Sequence, residues 1–252
     1  MPRAKDWDAH VADAELLARS ASFQAMRERV VAACDPHPGD AVADLGAGTG
    51  LLSLALAGCV SSVWSIDRSR AMGDYLATKA ASARLGNVRV VHASVTSIPL
   101  VDESVELVVS SYCFHELSDA DKVRALGEAF RILTPGGRLA FADMMFSVSG
   151  ATGRDRRVIV SKIRVLARRG VPGLLRLAKN LWRIAVGRWE HPVPAAWWER
   201  ALADAGFEDI RVETLEHEGG IASARRPVAA RPATPPQLAA AIGGPASKSP
   251  SA

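Results

Sequence analysis

The sequence is short of cysteine, of long apolar runs and of several familiar nucleotide-binding patterns, and each shortage excludes something. Only three cysteines, Cys34, Cys59 and Cys113, occur in 252 residues. None stands at metal-ligand spacing, so no metal site is expected. An odd count without a disulfide framework points to reduced thiols and a cytoplasmic location. No apolar run approaches the ~20 residues that cross a bilayer. Met1-Pro2-Arg3-Ala4-Lys5-Asp6 leads into a charged helix and not an apolar one, so no secretory signal is expected. There is no internal repeat and no Gly-Lys-Ser/Thr of a P-loop.

What is present is an ordinary globular composition, 48% apolar and 23% charged, with enough apolar residues for a sizeable core. The formal charge of +4 hides an asymmetry. Residues 151–190 carry eleven Lys or Arg against Asp155 and Glu190, a local +9 that leaves about −5 for the rest. One basic segment is thus mounted on a mildly acidic body, unlike a generally basic nucleic-acid binder.

Apolar spacing predicts one or two helices over 8–33. Strands at Ala41–Leu45, Ser62–Ile66, Val88–His92, Val105–Ser110 and Arg138–Met145 then alternate with helices at Leu51–Cys59, through about Arg84, and at Asp119–Leu133. Such alternation means crossovers and a parallel sheet covered on both faces. Two basic amphipathic helices follow, 154–169 and 173–187, then a helix at Ala195–Ala205 ending at Gly206. Strands at Phe207–Leu215 and Ile221–Arg226 are joined by the glycine-bearing turn Glu216–Gly220. The expected organisation is a helical cap over 1–34, a cofactor-binding core over 35–146, a basic helical lid over 147–194, the last helix and hairpin over 195–226, and a disordered tail over 227–252.

The first strand runs into Asp44-Leu45-Gly46-Ala47-Gly48-Thr49-Gly50. Its glycines let the chain turn sharply and approach a ligand, at the start of a helix with free N–H groups. A dinucleotide fingerprint needs a further glycine where Leu51 stands, so that pattern fails. Asp67 ends the second strand, where an acid in a doubly wound fold accepts bonds from ribose hydroxyls. A simple helix cap is the plainer alternative.

With these features the sequence resembles the class I methyltransferases, especially the ubiquinone/menaquinone-type small-molecule group, over about residues 7–226. Asp44–Gly50 and Ile66-Asp67 match the first two motifs. Ile98-Pro99-Leu100-Val101-Asp102-Glu103-Ser104-Val105, Phe114-His115-Glu116-Leu117, Arg131–Gly137 and Ala205-Gly206-Phe207 match later ones in order. The resemblance implies a Rossmann-like α/β fold: a seven-stranded, mostly parallel sheet with helices on both faces and an antiparallel last strand, plus the helical lid. It implies S-adenosylmethionine as cofactor, contacted by Asp44, Gly46, Ala47, Gly48, Gly50, Asp67, Arg68, Ser94, Val95 and Ser111. Where many members have Gly-Asp beside adenine, this chain has Ala93-Ser94.

The implied activity is methyl transfer to a small apolar or aromatic acceptor, quinone-like, polyketide-like or lipid. A macromolecular (RNA or protein) methyltransferase, or a non-catalytic cofactor-binding protein, remains the alternative. DNA is not expected, because Ser110-Ser111-Tyr112-Cys113 stands where DNA amino-methyltransferases carry Asn/Asp-Pro-Pro-Tyr/Phe. His115 is the candidate catalytic base, with a plain pocket wall as the alternative. Tyr112, Glu116 and Asp143 are weaker candidates, and Cys113 reads as a packed residue. The tryptophans Trp182, Trp189, Trp197 and Trp198 either roof the acceptor or pin the added helices. In the second basic helix, Leu174, Leu177, Leu181 and Ile184 or Ala185 share one face, with Arg176, Lys179 and Arg183 on another. That pattern fits a pocket roof or a peripheral contact of residues 154–188 with an anionic membrane.

Overall fold

The computed structural model describes residues 6–150, 152–168, 170–185 and 190–228. A 3-10 turn, Asp8–His10, leads into α1 (Val11–Ala18) and α2 (Ala21–Cys34). Seven strands follow: β1 (Ala41–Leu45), β2 (Ser62–Asp67), β3 (Val88–His92), β4 (Val105–Ser111), β5 (Leu133–Met144), β6 (Glu208–Thr214) and β7 (Gly219–Arg225). The helices between them are α3 (Ser53–Leu56), α4 (Arg70–Ser82), α5 (Asp119–Ile132), α6 (Gly153–Ala167), α7 (Val171–Ala185) and α8 (Ala195–Asp204). The strands form one sheet in the order β3-β2-β1-β4-β5-β7-β6. β1 to β5 pair in parallel, and β7 runs antiparallel to both β5 and β6. The expected seven-stranded sheet, with its reversed last strand, is what the chain builds.

Both faces of the central strands β1, β2, β4 and β5 are covered, which is why these read as apolar runs without alternation, while the edge strands β3 and β6 stay partly exposed. On one face α2 and α3 cover Val42, Val63, Leu107 and Val109 with Met26, Val30, Leu52 and Leu56. On the other, α5 and α8 pack Leu126, Ile132, Trp198 and Leu202 over Val108, Leu139 and Phe141. Trp198 is 1% exposed, against Phe141 at 4.7 Å and Phe114 at 5.5 Å between ring centroids. Trp197 packs edge-on to Trp198, under the Lys122 ammonium. These two tryptophans therefore pin α8 to the sheet and do not roof a pocket. Trp189 and Arg188 lie outside the described residues, as do residues 229–252 of the expected tail.

Several boundaries differ from the sequence reading, three of them for a clear local reason. The helix after the glycine loop is a single turn, because Gly50 at φ +92° is outside helical space and the Ser53 amide is taken by Asp44. β5 begins at Leu133, since Thr134–Gly137 is carried as an irregularity against β4, between the pairs Val105↔Leu133 and Leu107↔Arg138. β7 begins at Gly219, two residues early. Gly219 and Gly220 pair with Met144 and Asp143 instead of forming the turn. A Cβ on Gly219 would lie 2.8 Å from Tyr112 Oη, and one on Gly220 would lie 2.5 Å from Met145 Sδ. These glycines serve close packing of strand on site, not chain reversal.

Candidate functional site

The glycine loop lies at the carboxyl edge of β1, where open α/β sheets bind ligands. Its anchor is Asp44, 2% exposed, whose Oδ2 accepts from Ser53 N at 2.9 Å and Ser53 Oγ at 2.6 Å. Burial pushes this carboxyl up to about 7, against the opposing Ser53 hydrogen bonds. The sequence reading places free N–H groups at the start of the helix that follows, where Ser53 N goes to Asp44. In the loop itself the amides of Gly46 and Ala47 go to Ile66 O, Gly48 to Asp67 and Gly50 to Ala47 O. A phosphate-binding nest is thereby excluded at these four amides, in keeping with the failed P-loop and dinucleotide patterns. What the loop offers a ligand is close backbone approach. Gly46 has φ +71°, and a Cβ there would sit 2.3 Å from Cys113 Sγ. Cys113 is the packed residue expected from the sequence, its thiol held well above the ordinary value by burial.

Asp67 stands at the end of β2, paired with His92 across the sheet. Its Oδ1 accepts from Ser69 N and its Oδ2 from Gly48 N, each at 2.8 Å. A carboxylate has about four acceptor positions, so each oxygen keeps one for a ribose hydroxyl. The helix cap itself is Ser69, whose side chain accepts from Met72 N. Asp67 thus ties the turn before the helix to the glycine loop and still has acceptor positions to spare. A cleft of about 200 Å³ adjoins Asp67, lined also by Ser69, Arg70, Gly73 and His92. Arg68 is exposed beside it. Ser94 is exposed with its Oγ 2.8 Å from Thr96 Oγ1, and Val95 is buried in the core, which leaves its backbone for a ligand. Ser111, at the end of β4, has a buried hydroxyl with no hydrogen-bond partner. Such an orphaned group inside a polar edge, beside a cradle that no Cβ could enter, fits the cofactor the sequence implies.

Asp67→Ala removes a charge-assisted acceptor contributing about 1.5–3 kcal/mol. S-adenosylmethionine affinity should fall about tenfold or more. Calorimetry on the folded variant measures it, and unchanged affinity would remove Asp67 from the site.

A second cluster at the carboxyl edge is organised by two residues 28 apart in sequence. His115 lies in the 3-10 turn Phe114–Glu116 after β4, and Asp143 near the end of β5. Asp143 is 1% exposed and accepts from Phe114 N at 2.7 Å, His115 N at 3.2 Å and Met144 N at 2.6 Å. His115 Nδ1 lies 2.8 Å from Asp143 Oδ1. An ionised carboxylate only accepts, so the imidazole donates from Nδ1 and the neutral ring keeps its lone pair on Nε2. Burial alone would hold the imidazole down. The charge and hydrogen bond of Asp143, with Glu116 and Glu190, outweigh it and hold the value above the ordinary one. Donor atoms of His115, Glu116 and Glu190 lie within 4.8 Å of one another. Tyr112 closes this side at φ +53°, its ring 6.0 Å from His115 and 4.9 Å from Phe23 of α2. Burial pushes its phenol up, which makes it a wall and not a base at neutral pH.

Several participants carry no motif. Phe23, Glu190 and the pair Glu15–Lys79 come from segments far from the glycine loop in sequence. Lys79 donates to Glu15 at 2.8 Å and to Thr49 O at 2.9 Å, tying α1 to the loop. Asp8 accepts from Ser69 Oγ, beside Asp67. For Asp8, Glu15 and Phe23 the sequence shows only that the N-terminal segment is helical, and for Lys79 and Glu190 it shows nothing.

Residues 42–137 match the family model of the methyltransferase domain. An uncharacterised methyltransferase of Anoxybacillus flavithermus is 33% identical over 108 residues, 43% of this chain and 49% of that protein. A ubiquinone/menaquinone biosynthesis C-methyltransferase of Vibrio vulnificus is 35% identical over 115 residues, 41% of this chain and 40% of that protein. The chain thus spans about half the length, or less, of these curated relatives. A crystal structure of a SAM-dependent methyltransferase from Aquifex aeolicus superposes with a TM-score of 0.61. It covers 86% of this chain and 98% of that one at 21% identity, a likeness of fold.

Proposed function

We propose that this chain, whose residues 42–137 match the model of a methyltransferase domain, is a class I, S-adenosylmethionine-dependent enzyme that methylates a small, uncharged, weakly acidic acceptor such as a phenol, quinol or enolisable carbon. The observation that carries this reading is the His115–Asp143 pair at 2.8 Å, with Nε2 as its basic atom. The cofactor supplies a methyl group on a sulfonium. The protein's part is to align the acceptor atom, exclude water and take a proton where the acceptor arrives protonated.

Gly46 and Gly48 would flank the methionine portion, and Asp67 would hold the ribose. Ser111 would bond a polar atom of the cofactor near β4. On the other side, Tyr112 and Phe23 would bound an aromatic or apolar body. Asp143 holds His115 by backbone and ring together, so Nε2 keeps one direction. Its raised basicity suits a proton of moderate acidity near neutral pH. The carboxylates of Glu116, Glu190, Glu218 and Asp143 favour a neutral acceptor over a polyanion, which weighs against RNA.

The test is release of S-adenosylhomocysteine by the full chain against phenols, quinols, lipids, RNA and protein. Turnover with phenols or quinols is expected, lost in His115→Ala. Turnover confined to RNA or protein overturns the small-acceptor reading, and cofactor binding with no turnover anywhere favours a binding protein.

A further inference from the structure

Helices α6 and α7 turn different surfaces in two directions. Towards the domain, α6 buries Asp155 and Val158, and Arg154 donates to the carbonyls of Met145, Leu215, His217 and Gly219. Lys162 meets Glu218 at 3.0 Å. α7 buries Gly173 and half-buries Leu177. The sequence reading groups Leu174 with Leu177 on a single apolar face. The structure separates them: Leu174 is exposed, and the side chains of Leu181, Arg183, Ile184 and Ala185 lie outside the described residues.

Outwards, Val160, Ile163 and Val165 of α6, and Val171, Leu174, Leu175 and Trp182 of α7, are 42–69% exposed. They are seven of the fourteen exposed large apolar side chains among the described residues. Val171, Leu175, Ala178 and Trp182 recur at helical spacing, so α7 presents a stripe and not scattered residues. On α6, Arg156, Arg157, Arg164 and Arg168 line an open groove of about 690 Å³ together with Val160 and Val165. Arg176 and Lys179 are exposed on α7.

We propose that this two-helix face docks on an anionic lipid bilayer. A bilayer interface accepts both parts of the surface at once: the apolar stripe enters the headgroup–acyl boundary, and the arginines reach lipid phosphates. A second copy of the chain would set cation against cation, and a nucleic acid would take the arginines but leave the stripe in water. The remainder of the chain carries about −5, so an anionic surface favours this segment over the rest of the chain taken as a whole. Arg154 anchors α6 to the chain at Gly219, which abuts Tyr112. Docking therefore holds the acceptor side near the membrane, a consequence that rests on the proposed function, whereas docking itself does not.

The experiment is co-sedimentation of the full chain with phosphatidylcholine vesicles, with and without one third phosphatidylglycerol, at low and high salt. Partitioning at least tenfold stronger onto the anionic vesicles, weakened by salt, is expected. L174S/L175S and R164E/R168E should each lower it tenfold or more, with circular dichroism and cofactor affinity unchanged, because all four residues are exposed. Equal partitioning onto both vesicle types overturns the proposal. So does displacement of the protein from vesicles by a 30-mer oligonucleotide, coupled with indifference to L174S/L175S. Turnover on a dispersed acceptor by a chain that ignores vesicles sinks docking alone.

Discussion

Gly46→Ala should lower S-adenosylmethionine affinity about 100-fold or more, equivalent to roughly 3 kcal/mol, while the sheet stays folded. Two costs act together. Gly46 sits at φ +71°, where an L side chain is strained by about 1–2 kcal/mol. The new Cβ would also lie 2.3 Å from Cys113 Sγ and 2.5 Å from Cys113 Cβ. Neither contact is tolerable, and rotating the partly buried Cys113 thiol relieves only one of them, because a clash with its Cβ needs the backbone to move. The loop must therefore move off the carboxyl edge of β1, taking with it the Gly48 amide that Asp67 accepts. Calorimetry and circular dichroism separate lost binding from lost fold. Adding Cys113→Gly should recover part of the affinity by removing the clash, leaving the conformational strain. Full affinity in Gly46→Ala alone would refute the loop's place in the cofactor site.

Asp143→Asn should lower turnover about 100- to 1000-fold, roughly 3–4 kcal/mol at the transition state, with a smaller effect on cofactor affinity. The carboxylate satisfies three backbone amides and the His115 ring together. An amide has one acceptor oxygen and would point an N–H at a donor, so the turn loosens and the ring loses its imposed tautomer. The pH behaviour gives an independent reading. In the proposed mechanism proton removal needs neutral His115, whose value is held above the ordinary 6.5. Turnover of the native protein should therefore rise with pH through an inflection above 6.5. Asp143→Asn removes the raising charge, and burial then dominates, so the inflection moves to lower pH. The same shift contributes folding stability that is complete below about pH 6.5 and fades as pH rises through the elevated value. Nitrogen NMR of the His115 ring follows both tautomer and titration without any acceptor. An unmoved titration in Asp143→Asn would sink the pairing.

The features legible in the sequence were those with local causes. A turn that must pass through positive φ calls for glycine, so Gly46, Gly48 and Gly50 announced the loop. Strands buried on both faces must be apolar throughout, so β1, β2, β4 and β5 stood out, and Asp67 could be placed at the end of β2; β3, with Arg89, Val90 and His92 exposed, showed only as a short valine-rich run. His115 and Asp143 were each singled out, but nothing in either stretch says that they touch. That depends on β4 and β5 being neighbours in the sheet, with Ser111 opposite Ala142. Gly219 and Gly220 read as turn residues because sequence shows what a glycine permits locally and not which atom approaches it. Phe23, Glu15 and Glu190 had no signature, since a wall or an ion pair requires only suitable side chains at whatever separation the fold brings together. The amphipathicity of α7 was visible as a period, but the face that would be covered was not. Periodicity follows from helical geometry alone, whereas burial is decided by the surface the rest of the chain supplies, and it takes up Leu177 and leaves Leu174 and Leu175 to the outside.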